Sequence, residues 1–286
     1  MGSWKGHRFF QLIWWTGNLL LLAALLITIY SVGWEFSVRA YLKGFSDAVV
    51  PVASTPEQKV ESILDWMRNG PQRTSLPGPS GLAQRDPETT LNYEQLLNVC
   101  GTATNAFLNL ARSSGLQVRR LLLLTPQRNT KHVVAEVLLN DRWIIVDPTY
   151  RVIMRDAQGR MLTRKDLQNP AIFAEATAKI EGYLPEYNYQ IFAHVRVARL
   201  PASGFRLRGI LDFVYPRWEE SADWSLLLER ESFFVLCVSL AATAFLFILR
   251  FGLGWYAEKR LGIRRIRLRE KAWRAGTALF FPPEIK

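Results

Sequence analysis

Cys100, His132 and Asp147 supply a thiol, an imidazole and a carboxylate in a chain with only two cysteines and three histidines. A thiol becomes a strong nucleophile when a base takes its proton, and the base keeps one tautomer when a carboxylate holds its far nitrogen. The three contexts are Asn98-Val-Cys-Gly101 opening a helical run, Lys131-His-Val-Val-Ala-Glu-Val137 in a strand pattern, and Trp143-Ile-Ile-Val-Asp-Pro-Thr149 in the next strand. The chemistry such a set supports is acyl transfer through a cysteine. Taken singly, each residue has a plainer reading: a small buried thiol, a strand-edge histidine, and an Asp-Pro that ends a strand.

The elements around them decide whether they can meet. Thr102 to Ser113 reads as a helix that turns Ala106, Phe107, Leu110 and Ala111 inward and stops before Gly115, with Cys100 just before it. The unpaired N–H groups of a first helical turn favour a thiolate and suit an oxyanion. The Cys100 backbone N–H is one candidate oxyanion donor, with Gln95 or Asn98 upstream.

Strands are expected at Val118–Thr125, Val133–Leu139 and Trp143–Val146. Asn140-Asp141 suits a two-residue hairpin loop, since both residues tolerate positive φ. Pairing Leu139 with Arg142 sets Val134 opposite Asp147 and His132 opposite Thr149, all on one face. His132 and Asp147 are then diagonal neighbours, about 7–8 Å apart at the backbone. A loop of odd length would put them on opposite faces. The other face carries Val133, Ala135, Val137, Ile144 and Val146, an apolar set fit to pack on the Cys100 helix.

Upstream, Pro56 to Asn69 reads as an amphipathic helix capped by Thr55, with Val60, Ile63, Leu64 and Met67 as its stripe. Gly70 to Thr90, rich in Pro, Gly, Ser and Gln, reads as an exposed loop, either a functional lid or a connector. Downstream, Leu162–Leu167 and Ala171–Ile180 look helical, and Tyr187–Leu200 looks extended. Helices followed by a strand meander argue an α+β fold.

Two long apolar stretches bracket this region. Leu12 to Val32 and Ser232 to Leu249 each approach the roughly 20 apolar residues that span a bilayer core, so both read as transmembrane helices. No small-x-small cleavage site follows the first, which argues against a removed signal peptide. Helical structure is expected to continue from Trp34 to Val50. Of the net charge of +11, residues 250–286 hold seven, from ten Lys and Arg against three Glu; Lys5 and Arg8 add two more. Positive flanks stay cytoplasmic, so both termini are expected inside and the centre outside, which is the periplasm in a bacterium. The resulting plan is residues 1–34 as a short cytoplasmic start and first span, and 35–231 as an extracytoplasmic domain with its core at about 55–200. A second span at 232–256 and a basic cytoplasmic tail at 257–286 complete it.

With Cys237 inside the second span, Cys100 is the outer domain's only thiol and has no disulfide partner. His194 reads as a lone exposed-strand structural residue, and His7 as juxtamembrane. No zinc spacing, phosphate-binding glycine loop or dinucleotide fingerprint is present, so no metal or cofactor is expected. The basic run Lys259–Arg274, interleaved with Leu, Ile and Trp, points to anionic lipid rather than nucleic acid.

The stretch Leu97–Tyr150 resembles the core of the transglutaminase-like superfamily, a variant of the papain-like cysteine protease fold. The resemblance rests on Val99-Cys-Gly101, Ala111-Arg-Ser-Ser-Gly-Leu116, Val118-Arg-Arg120, His132 through Glu136-Val137, and Trp143 through Val146-Asp-Pro-Thr149. Val133-Val134 is bulkier than the small or aromatic residue that often follows the family's histidine. The resemblance implies Cys100 as nucleophile, His132 as base and Asp147 as its orienting carboxylate. The expectation is a membrane-anchored acyltransferase or amide hydrolase acting on an extracytoplasmic peptide or protein, with water or an amine resolving the acyl-enzyme. The competing expectation is a non-catalytic module of the same fold that binds a partner in a membrane-associated envelope or polysaccharide assembly system.

Overall fold

The computed structural model describes residues 8–70, 73–75, 78, 84, 86–195, 213–216, 218–221 and 225–262. The chain divides into two compact units, Met1–Val32 with Val235–Lys286, and Gly33–Phe234.

The first unit is built on two helices that the sequence makes almost wholly apolar. α1 runs from Arg8 to Val49, 42 residues, and the C-terminal helix from Glu231 to Lys259, 29 residues. Both are long and apolar enough to cross a membrane. Their large side chains, Leu19, Leu22, Leu26, Ile29, Phe245 and Ile248 among them, are exposed. A core helix of a soluble protein would bury such residues, whereas lipid accepts them. Thr28 Oγ1 meets Thr243 Oγ1 at 3.0 Å, and the Arg250 guanidinium bonds Asn18 Oδ1 and lies 5.2 Å over the Trp14 ring.

The second unit begins with the rest of α1, which buries Glu35, Leu42 and Ser46 at helical spacing. α2 (Pro56–Asn69) has the capping box at Thr55 and Gln58 and buries Val60, Ile63, Leu64 and Met67, as its stripe predicts. Its C-terminal carbonyls are met by arginines: Arg73 donates to Trp66 O at 2.8 Å and Arg151 to Met67 O at 3.0 Å. The exposed-loop expectation for 70–90 fails at its end. α3 (Pro87–Asn92), capped by Asp86, buries Pro87, Thr90 and Leu91, because the capping Asp and N1 proline start a helix that the polar composition masks. The remainder of that stretch lies largely outside the described residues.

After α4 (Glu94–Leu97) comes α5 (Cys100–Ser113), whose first residue is Cys100 itself, with Val99 at the N-cap. The helix was expected to start two residues later. Ala103, Ala106, Phe107, Leu110 and Ala111 are fully buried. The sheet is antiparallel, ordered β4-β3-β2-β1-β5, from β1 (Val118–Leu124), β2 (Thr130–Leu139), β3 (Arg142–Asp147), β4 (Val152–Ile153) and β5 (Phe192–Ala193). Leu139 pairs Arg142 and Ala135 pairs Val146, with Asn140 and Asp141 at φ 48° and 60°, the two-residue hairpin the sequence specifies. One face, through Ala135, Val137, Ile144 and Val146, packs on α2 and α5. The other, through Leu121, Leu123, Val134 and Ile145, packs on Leu162, Phe173 and Tyr189, so the sheet is buried on both sides.

The far face is covered by α6 (Arg164–Leu167), α7 (Pro170–Thr177) and a 3-10 turn (Pro185–Tyr187). The expected long strand over Tyr187–Leu200 is therefore corrected. Among the described residues of that stretch only Phe192 and Ala193 pair, because aromatic side chains at 183, 187 and 189 turn into the sheet's face instead of alternating across it. Residues 196–200, and the basic run beyond 262, lie outside the described residues.

Candidate functional site

Cys100 enters the site from the first turn of α5, His132 from β2 and Asp147 from the end of β3. The hairpin register puts His132 and Asp147 on the same face, and Nε2 of His132 lies 2.7 Å from Oδ2 of Asp147. The pair is sealed, His132 being 2 % exposed and Asp147 not at all. Asp147 is itself held, since its Oδ1 accepts the backbone N–H of Thr149 at 3.0 Å and of Tyr150 at 3.4 Å.

Cys100 packs with Val133, Leu122 and Leu124 on the α5 side, whereas His132 and Val134 belong to the other face. The pairing of β1 with β2 shifts beside His132: Leu123 faces His132 but Leu124 faces Thr130, leaving Lys131 as the extra residue. A bulge raises local twist and re-aims side chains. It sits where a ring from the far face has to reach a thiol on the near one. The His132 ring and the Cys100 thiol are close enough for each to shift the other's protonation. With Nε2 committed to Asp147, the nitrogen left for sulfur is Nδ1.

The electrostatics follow from these contacts. Burial works against ionising the thiol, but the neighbouring His132 ring and the backbone N–H groups of Val133 and Gly101 outweigh it, and Cys100 lies below the ordinary thiol value. Burial also works against charging His132, yet the bond to Asp147 and the nearness of Asp147 and Cys100 raise it to about 9. Tyr187 stacks on the imidazole at 4.3 Å and 9°, an aromatic face suited to a cationic ring. Tyr150 and Tyr183 approach it edge-on at 6.0 and 6.1 Å. Burial, with Tyr189 and Asp147 close by, drives the Tyr183 phenol far upward, so it stays protonated, and its hydroxyl lies 3.3 Å from that of Tyr189. The arrangement suits a thiolate–imidazolium pair at neutral pH, with the sulfur half-buried and the base walled by aromatics.

Of the expected oxyanion donors, Gln95 and Asn98 are both exposed, and Asn98 Oδ1 accepts Arg151 Nη2 at 2.9 Å. Sequence reasoning missed Arg151 and the three tyrosines. The signal for Tyr183 and Tyr187 was the run Tyr183-Leu-Pro-Glu-Tyr-Asn-Tyr189, of which only the part from Tyr187 onward was read, as extended. His194 needs correction too. It is 2 % exposed, with Nε2 2.8 Å from Glu136 Oε2 and Nδ1 2.5 Å from the Glu220 carbonyl. Glu136 also accepts Arg119 Nε at 2.6 Å. Burial opposes the Glu136 charge, but His194 and Arg119 hold its carboxyl below the usual range. This buried cluster joins the 218–221 segment to the sheet and stands apart from Cys100. Among the described residues no group of three His, Cys, Asp or Glu is arranged to hold a metal ion.

Residues 43–148 match the family model of the transglutaminase-like superfamily, a span that contains Cys100, His132 and Asp147 and reaches upstream through α2. No curated protein and no solved structure matches the chain.

Proposed function

We propose, from the transglutaminase-like superfamily domain at residues 43–148, that this protein is a membrane-anchored cysteine acyltransferase or amide hydrolase. The observation that carries the reading is the buried 2.7 Å contact of His132 with Asp147, beside a Cys100 thiol that His132 lowers, while Asp147 and Cys100 raise the imidazole to about 9. Those are the two shifts a thiolate nucleophile with a cationic partner requires.

In the proposed cycle the Cys100 thiolate attacks an amide or ester carbonyl, forming the C–S bond and moving the π electrons to oxygen. Collapse of that oxyanion expels the leaving group, which takes the His132 Nδ1 proton, and a thioester remains. Neutral His132 then removes a proton from water or an amine as it attacks the thioester. The second collapse releases acid or amide and restores the thiolate–imidazolium pair. Asp147 holds Nε2 throughout and stabilises the charged ring. Water or an amine as acceptor decides between hydrolysis and transamidation.

The substrate in this reading is an extracytoplasmic peptide or protein, and both chain termini are cytoplasmic. What supports that orientation is the concentration of Lys and Arg after residue 249 and the charge at Lys5 and Arg8. The basic tail would lie on anionic lipid, at about 1 kcal/mol per basic residue near the surface. Partner membrane proteins would meet the enzyme on the same side.

Alkylation by iodoacetamide tests the catalytic reading. Cys100 should react near pH 6 much faster than a free thiol, and His132→Ala should remove the advantage. A free-thiol rate in both proteins would sink the reading and leave a non-catalytic binding module.

A further inference from the structure

One helical turn beyond the nucleophile sits a buried hydroxyl that has no part in the proposed cycle. Thr104 lies four residues after Cys100 in α5, on the same face of the helix, and is 0 % exposed. A threonine inside a helix commonly returns its hydroxyl to the carbonyl one turn back, as Thr177 does to Phe173 O at 2.8 Å. For Thr104 that carbonyl is Cys100 O. Its Oγ1 instead donates across to Val133 O in β2, at 3.0 Å.

The sheet register explains why Val133 O is open to it. Leu138 N donates to Gln117 O on the β1 side at 2.9 Å, so the odd-numbered residues of β2 turn N–H and C=O toward β3. Leu139 pairs Arg142, Val137 pairs Ile144 and Ala135 pairs Val146, so the next position facing Val133 is Pro148. Proline has no N–H to give, and the ladder ends at Ala135. That leaves the Val133 carbonyl for Thr104. The Val133 N–H, on the same edge of the strand, is among the groups that favour the Cys100 thiolate. One strand residue therefore meets α5 at two points a turn apart, and that residue directly follows His132.

We propose that Thr104 is a positioning residue that clasps the first turn of α5 to Val133 and so sets the separation of Cys100 from His132. The proposal rests on the acyl-transfer reading and adds to it a residue that makes and breaks no bond in the cycle. Without the hydroxyl, Val133 O becomes a buried acceptor short of its donor, and helix and strand are free to part. The attraction between thiolate and imidazolium weakens with distance, so the thiol then titrates higher.

The experiment follows alkylation of Cys100 by iodoacetamide against pH, on the full chain in detergent, with the urea unfolding midpoint of each protein alongside. Thr104→Val keeps the shape and removes the hydroxyl. On the acid limb its rate should fall about tenfold, the thiol midpoint moving up by about one pH unit, while the rate at high pH stays at the wild-type value. Thr104→Ser restores the donor and should overlay the wild type. Thr104→Ala repeats the comparison where the valine disturbs folding, since Ala and Ser both lose the methyl and differ only in the hydroxyl. A Thr104→Val or Thr104→Ala profile that overlays the wild type, or a Thr104→Ser profile displaced as far as theirs, would overturn the proposal and leave the charged pair intact. A lowered urea midpoint with an unmoved pH profile would overturn it too, marking Thr104 as a packing residue. Wild-type alkylation at the free-thiol rate would instead remove the acyl-transfer reading, and this proposal with it.

Discussion

At the scale of single residues, the site is a contest between burial and pairing. Burial alone would leave Cys100 a neutral thiol and His132 a neutral imidazole. The contacts work against burial at both, drawing Cys100 down and raising His132 to about 9, with the Asp147 carboxylate bonded to the ring at Nε2. Asp147→Asn keeps the shape and removes that charge, so the His132 value should fall from about 9 toward the ordinary imidazole range, read by NMR titration of the ring. A value still near 9 would show that Asp147 is not what raises it. The sign for stability follows: a raised His132 contributes fully below its unfolded value near 6.5, and the contribution disappears as pH climbs through about 9. Residue types and counts made Cys100, His132 and Asp147 legible in the sequence. Tyr150, Tyr183, Tyr187 and Arg151 were not, since their roles arise from stacking and donor geometry that no spacing encodes.

At the scale of elements, the β2–β3 hairpin and α5 carry the site. Hairpin parity could be read from Asn140-Asp141 because turn length and side-chain alternation are both local rules. The bulge beside His132 could not, since it depends on how β1 meets β2. The C-terminal strand reading failed for a related reason: alternation in Tyr187–Leu200 suggested a strand, whereas tertiary packing placed the aromatics in a turn over the far face. α5 holds Cys100 against the sheet through Phe107, fully buried among α2, α5 and sheet residues. Phe107→Ala should cost about 3–5 kcal/mol in denaturant unfolding. A cost under about 1 kcal/mol would mean that the helix is not held by that packing.

At the scale of the whole molecule, the two apolar helices were the most legible feature, because a run of apolar residues needs no partner to be recognised. Orientation is read from charge alone. A membrane-impermeant thiol reagent applied to intact cells, with the outer membrane opened where there is one, should label Cys100. A cysteine introduced at Arg265 should label only after lysis. The reverse pattern would invert the topology and move the proposed substrate to the cytoplasm.

The central claim is that Cys100 rests as a thiolate paired with cationic His132, and the rate of its alkylation against pH tests it most directly. The account predicts a rate already high near pH 6 and nearly flat until His132 titrates at about 9, with His132→Ala reverting to a thiol-like rise. A wild-type rate that climbs about tenfold per pH unit from 6 to 8, as a free thiol of ordinary pKa does, would contradict it.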